Sequence, residues 1–135
     1  MHGTINPADD LPIYRQIMRH VTDAIAGGRL KSGDKLASHR ELSEELVVAP
    51  LTVKKAYDEL ETLGYIETQR GRGTFVCARL PRASRAVQQA QLTHAARAFL
   101  SQAYLNGMRL ADAVALLERA DRELQKGPAM QGKAG

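Results

Sequence analysis

The 135-residue sequence is short of the residues that carry most enzymatic and covalent chemistry: it has one cysteine, no tryptophan and only 4% aromatic residues. The lone Cys77 excludes an internal disulfide framework and a thiolate zinc site of ordinary spacing. In Phe75-Val76-Cys77 it reads as a small strand-packing residue. The four histidines, at 2, 20, 39 and 94, do not gather with cysteine or carboxylates into a set of metal ligands, so no metal is expected. No apolar run approaches the roughly 20 residues that a membrane span needs. The start, Met1-His2-Gly3-Thr4-Ile5-Asn6, has no basic segment leading into an apolar one, and a soluble cytoplasmic protein is the expectation. No Ser/His/Asp, Cys/His or paired-carboxylate constellation stands out, so neither catalysis nor a cofactor is expected.

Hydrophobic residues make up 44% of the chain, which suits one modest aliphatic core with a helical extension. The net charge of +4 suggests an anionic partner, but its placement weakens that argument. Residues 1–78 carry 10 Lys/Arg against 11 Asp/Glu, whereas residues 79–135 carry 9 against 4, with Arg79, Arg82 and Arg85 clustered early. Bulk basicity cannot carry a nucleic-acid reading, so local placement must.

Local placement is informative between residues 38 and 76. Ser38 with Glu41 three residues on is a capping-box signature, followed by Leu42 and Leu46 on an inward face. The run breaks at Val47-Val48-Ala49-Pro50, and Pro50 suits the first position of another helix. There Val53, Ala56, Tyr57, Leu60 and Leu63 recur at helical spacing and assign one face to the core. Gly64 is a left-handed stop, and 65–68 with 74–77 alternate as two strands around Arg70-Gly71-Arg72-Gly73. The order is helix, turn, helix, wing. Ahead of it, Asp10-Leu11-Pro12 opens a first helix with Ile13, Ile17, Val21 and Ile25 as its stripe, and Lys35-Leu36 allows a short strand.

The fold class expected is mainly α with a small β-wing: a winged helix-turn-helix domain over 10–78 and a two-helix dimerisation element over 83–126. Residues 127–135, small and polar without periodicity, read as a flexible tail. In the second part Leu92, Ala96, Phe99 and Ala103, then Leu110, Val114, Leu117 and Leu124, form stripes that two helices cannot bury unaided, and a second copy of the chain is the expected partner. Truncation near residue 81 should then leave weakly binding monomers.

A helix entering the major groove needs short side chains at its tip and cations for phosphates. Residues 49–55, with Ala49, Leu51, Thr52, Lys54 and Lys55, satisfy that description, with Lys54 and Lys55 expected in the first turn of the third helix against its dipole. Ser38 and Arg40 in the first turn of the second helix are placed to meet a backbone phosphate or, for Arg40, the O6 and N7 of guanine. Arg70, Gly71 and Arg72 let a guanidinium-bearing wing approach a DNA strand closely.

Residues 12–76 resemble the winged-helix domain of the GntR family of bacterial transcription regulators through Pro12-Ile13-Tyr14-Arg15-Gln16-Ile17, Gly28-Arg29-Leu30, Gly33-Asp34-Lys35-Leu36, Arg40-Glu41-Leu42, Thr52-Val53, Leu60-Glu61 and Gly71-Arg72-Gly73-Thr74-Phe75-Val76. The short helical remainder, with Ala49-Pro50-Leu51-Thr52-Val53 and Ala56-Tyr57, is similar to the small YtrA-like subfamily. The resemblance implies a homodimeric repressor, often near transporter genes, contacting a roughly palindromic duplex through Arg40, Ala49, Leu51, Thr52 and Lys54 and the wing at Arg70, Gly71 and Arg72. The family pattern has Pro at Ala37, Gly at Val47, Asn or Ser at Ala49, and Ser or Thr at Arg109. A branch of the family carries a pyridoxal-dependent domain that this chain lacks. Large effector domains are absent too, so any small-molecule effector is unidentified. The rival reading is a winged-helix interaction module, or an antagonist of a longer regulator, without operator binding of its own.

Overall fold

The computed structural model describes residues 5–79, 84–128 and 130–132, and the chain divides into two compact units, Met1–Pro81 with Leu124–Gly135, and Arg82–Glu123. The first unit holds α1 (Ile13–Ala26), α2 (His39–Leu46), α3 (Pro50–Leu63) and the hairpin β1 (Ile66–Gln69) and β2 (Gly73–Val76). The second holds α4 (Arg85–Leu105) and α5 (Leu110–Leu124), whose last residue is assigned to the first unit.

The core of the first unit follows from the stripes. Ile17, Val21 and Ala24 of α1, Leu42 of α2, and Val53, Ala56 and Leu60 of α3 are fully buried, with α3 packed against α1, α2 and β1. Ile13 and Ile25 are only partly buried at the ends of the α1 stripe. Leu63, placed inward by spacing, is 53% exposed although Leu60 in the same turn is fully buried, because the helical rotation carries position 63 well off the centre of the Val53, Ala56, Tyr57 and Leu60 stripe before the helix stops at Gly64 (φ 90°). With Asp10 as the expected N-cap, helix α1 begins two residues later than the sequence suggests. Pro12 is the N-cap and makes no side-chain bond, while Asp9 Oδ1 accepts from the Leu11 amide at 2.9 Å. The Tyr57 hydroxyl donates to the buried Ala37 carbonyl at 2.7 Å, tying α3 to the segment before α2. Burial raises the Tyr57 pKa well above its ordinary value, with a smaller contribution from Glu41.

The hairpin pairs antiparallel in the register Ile66↔Val76 to Gln69↔Gly73. Segment 33–36 extends it: the Leu36 amide donates to Thr74 O at 2.8 Å, the Val76 amide to Asp34 O at 2.8 Å, and the Gly33 amide to Val76 O at 2.9 Å.

The C-terminal segment departs from expectation. Of the stretch 127–135, expected as a flexible tail, residues 129 and 133–135 lie outside the described residues, while Gln131 bridges antiparallel to Leu36, the Ala37 amide donates to Met130 O at 2.7 Å, and the Gly132 amide donates to Lys35 O at 2.8 Å. Met130 is 1% exposed in the core. The Arg29 guanidinium donates to Leu124 O and Pro128 O, both at 3.1 Å, and the Gln131 amide group donates to Arg29 O. Gly27 leaves room for this strap, since a Cβ there would collide with the Leu124 carbonyl. The physical reason is that the strap gives the Ala37 amide and the Lys35 carbonyl their backbone partners, while the adaptable Met130 side chain buries itself in the core.

In the second unit Ser84 caps α4, its side chain accepting from the Val87 amide at 3.3 Å, and α4 ends at Asn106. Arg109 precedes α5 where a hydroxyl cap is usual, and its amide donates to Asp112 Oδ2 at 2.9 Å, so Asp112 supplies the reciprocal half of a capping box, the half that does not depend on a hydroxyl at 109. Among the described residues no helix is long and apolar enough to cross a membrane.

Candidate nucleic-acid interface

The interface begins with the caps of α2 and α3, which are opposites. Ser38 Oγ accepts from the Glu41 amide at 3.1 Å, and Glu41 Oε1 accepts from the Ser38 amide at 2.9 Å, completing the capping box. Helix α3 has Pro50 at its start, Ala49 as an N-cap without a side-chain bond, and no acidic residue in its first turn. Lacking a hydroxyl or carboxamide cap costs about 1 kcal/mol of helix stability. It also leaves the positive end of the helix dipole open to an external anion.

The candidate contacts lie at or near the surface. Ser38, Arg40, Ala49, Leu51, Lys54, Lys55, Arg70, Gly71 and Arg72 are exposed, and Thr52 is half-buried. Arg40, its side chain 89% exposed, stands 3.8 Å from Glu44, a separation and exposure at which an ion pair contributes little and yields readily to a phosphate. Lys54 and Lys55 differ from expectation. With Pro50 as the first helical residue they open the second turn, where the dipole is already weak. Lys54 Nζ pairs with Asp58 at 2.8 Å, in the less favourable Lys-before-Asp order, and Lys55 Nζ sits 4.3 Å from the centre of the Tyr14 ring. In the wing, Gly71 (φ 78°) and Gly73 (φ 121°) take the left-handed turn, and the Arg72 guanidinium lies 5.8 Å from the Phe75 ring.

Val47 was not among the sequence candidates. It is the C-cap of α2 at φ 56°, ψ 54°, and it is the non-glycine residue with positive φ among those described. The missing glycine at this position was the available signal. Cys77, half-buried beyond β2, donates its amide to Tyr65 O at 3.0 Å; desolvation, then Glu67 and Glu61, push its thiol pKa up, which disfavours the reactive thiolate. Among the described residues no group of three or more His, Cys, Asp or Glu could hold a metal ion.

Of the residues proposed for self-association, Leu92 (67%), Leu110 (56%) and Leu117 (52%) are well exposed, as are Val114 and Ala96. Phe99 is half-buried and Ala103 buried. Leu124 belongs to the first unit, where its carbonyl accepts from Arg29.

Residues 13–76 match the family described as "Bacterial regulatory proteins, gntR family". The YtrA structure from Sulfolobus acidocaldarius, a GntR-family transcription factor, is 36% identical, with the match covering 72% of this chain and 99% of that one at a TM-score of 0.56. The chain belongs to the GntR family. Within it, the transcriptional repressor YtrA of Bacillus subtilis is 49% identical over 72 residues, 53% of this chain and 55% of that protein. The chain thus spans about half the length of the first curated relatives it matches. A Listeria monocytogenes structure titled as a transcriptional antiterminator matches at TM-score 0.71 and 29% identity over 96% of both chains. A further match, the DNA-binding domain of AraR in complex with operator ORX1, has a TM-score of 0.50 and 28% identity, over 53% of this chain and 89% of that one.

Proposed function

We infer that this protein is a sequence-specific, DNA-binding transcription repressor, not an enzyme, acting in the cytoplasm as a homodimer on a roughly palindromic operator of its own or a neighbouring operon. The observation that carries the reading is the exposed, uncapped tip of α3, in a chain of the GntR family that also exposes Arg40 on α2. The YtrA repressor and the AraR–operator complex support it by similarity. Two copies would present two such tips to successive major grooves, about one helical turn apart. The uncovered Leu92, Leu110, Val114 and Leu117 support pairing through α4 and α5.

The test is selection of bound fragments from genomic DNA, followed by titration across salt concentrations. Strong, salt-sensitive and sequence-selective binding is expected. Lys54→Ala should weaken operator and random DNA alike and lower the salt slope by about one. Thr52→Ala or Arg40→Ala should cost more on operator than on random DNA; equal losses would remove base reading from both residues. No retained fragment under any condition would favour a protein-interaction module.

A further inference from the structure

The turn between α2 and α3 displays apolar side chains where a DNA-reading tip would ordinarily carry donors and acceptors. Val47 is 88% exposed and Leu51 is 78% exposed, and Ala49 and Pro50 between them are exposed as well. Val48 alone turns inward and packs against the core. Val47 holds a left-handed backbone that a β-branched side chain disfavours, without gaining burial for it. With Ala49 and Pro50 exposed between them, Val47 and Leu51 make one apolar stretch of surface and not scattered single residues, which is the kind of surface that marks an interaction site.

Resting on the reading of the chain as an operator-binding protein, we propose that Val47 and Leu51 recognise thymine C5-methyl groups in the major groove, so that each operator half-site carries thymines beneath the tip. Neither side chain has a hydrogen-bond donor or acceptor, so neither distinguishes bases through their amino, carbonyl or ring-nitrogen edges. The thymine methyl is the one apolar feature that the four bases present in that groove. The occupant is duplex DNA and not an apolar protein surface because the turn runs into the uncapped positive end of α3, where the exposed Lys54 and Lys55 follow Leu51 one helical turn on. Charge complementarity therefore selects a polyanion, and the apolar turn selects where along it the tip rests.

The experiment uses the full chain and an operator recovered by fragment selection. Each half-site thymine is replaced in turn by deoxyuridine, which removes the methyl and leaves the O4 acceptor. Loss of one buried methyl contact corresponds to about a fourfold weakening. The wild-type protein should show that loss at one or two positions per half-site. Leu51→Ala and Val47→Ala should each bind the thymine operator more weakly and be indifferent to uracil at one of those positions. Both side chains are exposed, so thermal unfolding verifies that the variants stay folded. A wild-type protein indifferent to uracil throughout the half-site, or a uracil penalty unchanged in both variants, overturns the proposal. Loss of self-association in Leu51→Ala with no uracil effect assigns the patch to protein and also overturns it. Failure to recover any operator is a different result, because it removes the DNA-binding reading beneath.

Discussion

Val47 shows how much one residue can cost and what it says about neighbouring positions. A left-handed backbone costs a residue with a Cβ about 1–2 kcal/mol relative to glycine, which is why glycine is favoured where a helix ends this way. Val47→Gly should therefore stabilise the protein by about 1 kcal/mol, read as a rise of several degrees in the unfolding midpoint. A fall would mean that the side chain makes contacts that outweigh the strain. Tyr57 is the opposite case, a polar atom buried and satisfied. Tyr57→Phe leaves the Ala37 carbonyl without this donor and should destabilise by about 1 kcal/mol. Because burial raises the folded-state pKa of Tyr57, its contribution is complete below about pH 10, where an unfolded tyrosine ionises, and diminishes above it. The alkaline limb of stability against pH should be shallower in the phenylalanine variant. The glycine missing at position 47 was readable as a family departure, but its exposure was not, since spacing cannot say which of Val47 and Val48 turns inward.

At the level of elements, legibility followed local rules. The capping box, Pro50 at the head of α3, Gly64 at its end and the hairpin all depend on residues within a few positions of each other, and each is present. The start of α3 at Pro50 was legible, and counting from it puts Lys54 and Lys55 in the second turn, which takes most of the dipole argument away from them. The C-terminal strap was illegible for a clear reason. It consists of a few residues with one large apolar side chain, so it has no periodicity, and its partners Arg29, Lys35 and Leu36 lie about a hundred positions earlier. Met130→Ala should cost about 2–5 kcal/mol by opening a cavity in the core, measured by denaturant unfolding. An unchanged midpoint would show that the winged helix closes without the strap.

For the whole molecule, the division into units changes how self-association should be tested. Cutting the chain near residue 81 removes α4 and α5 but also Met130 and the strand beside Leu36, so a weak-binding fragment would report damage to the core as well as loss of pairing. Leu117→Glu is the cleaner variant, because the side chain is exposed within its own chain and a charge at a paired apolar face is strongly unfavourable. It should yield monomers by analytical ultracentrifugation with an unfolding midpoint close to that of the monomeric wild-type chain at high dilution. A stable dimer would place the pairing surface elsewhere. The strap also has a bearing on biosynthesis. The ribosome makes α4 and α5 before Met130, so the first unit completes its interior only after those helices have been produced. A chain arrested part-way through α5 would carry all of α1 to β2 and still lack the side chain that plugs their core.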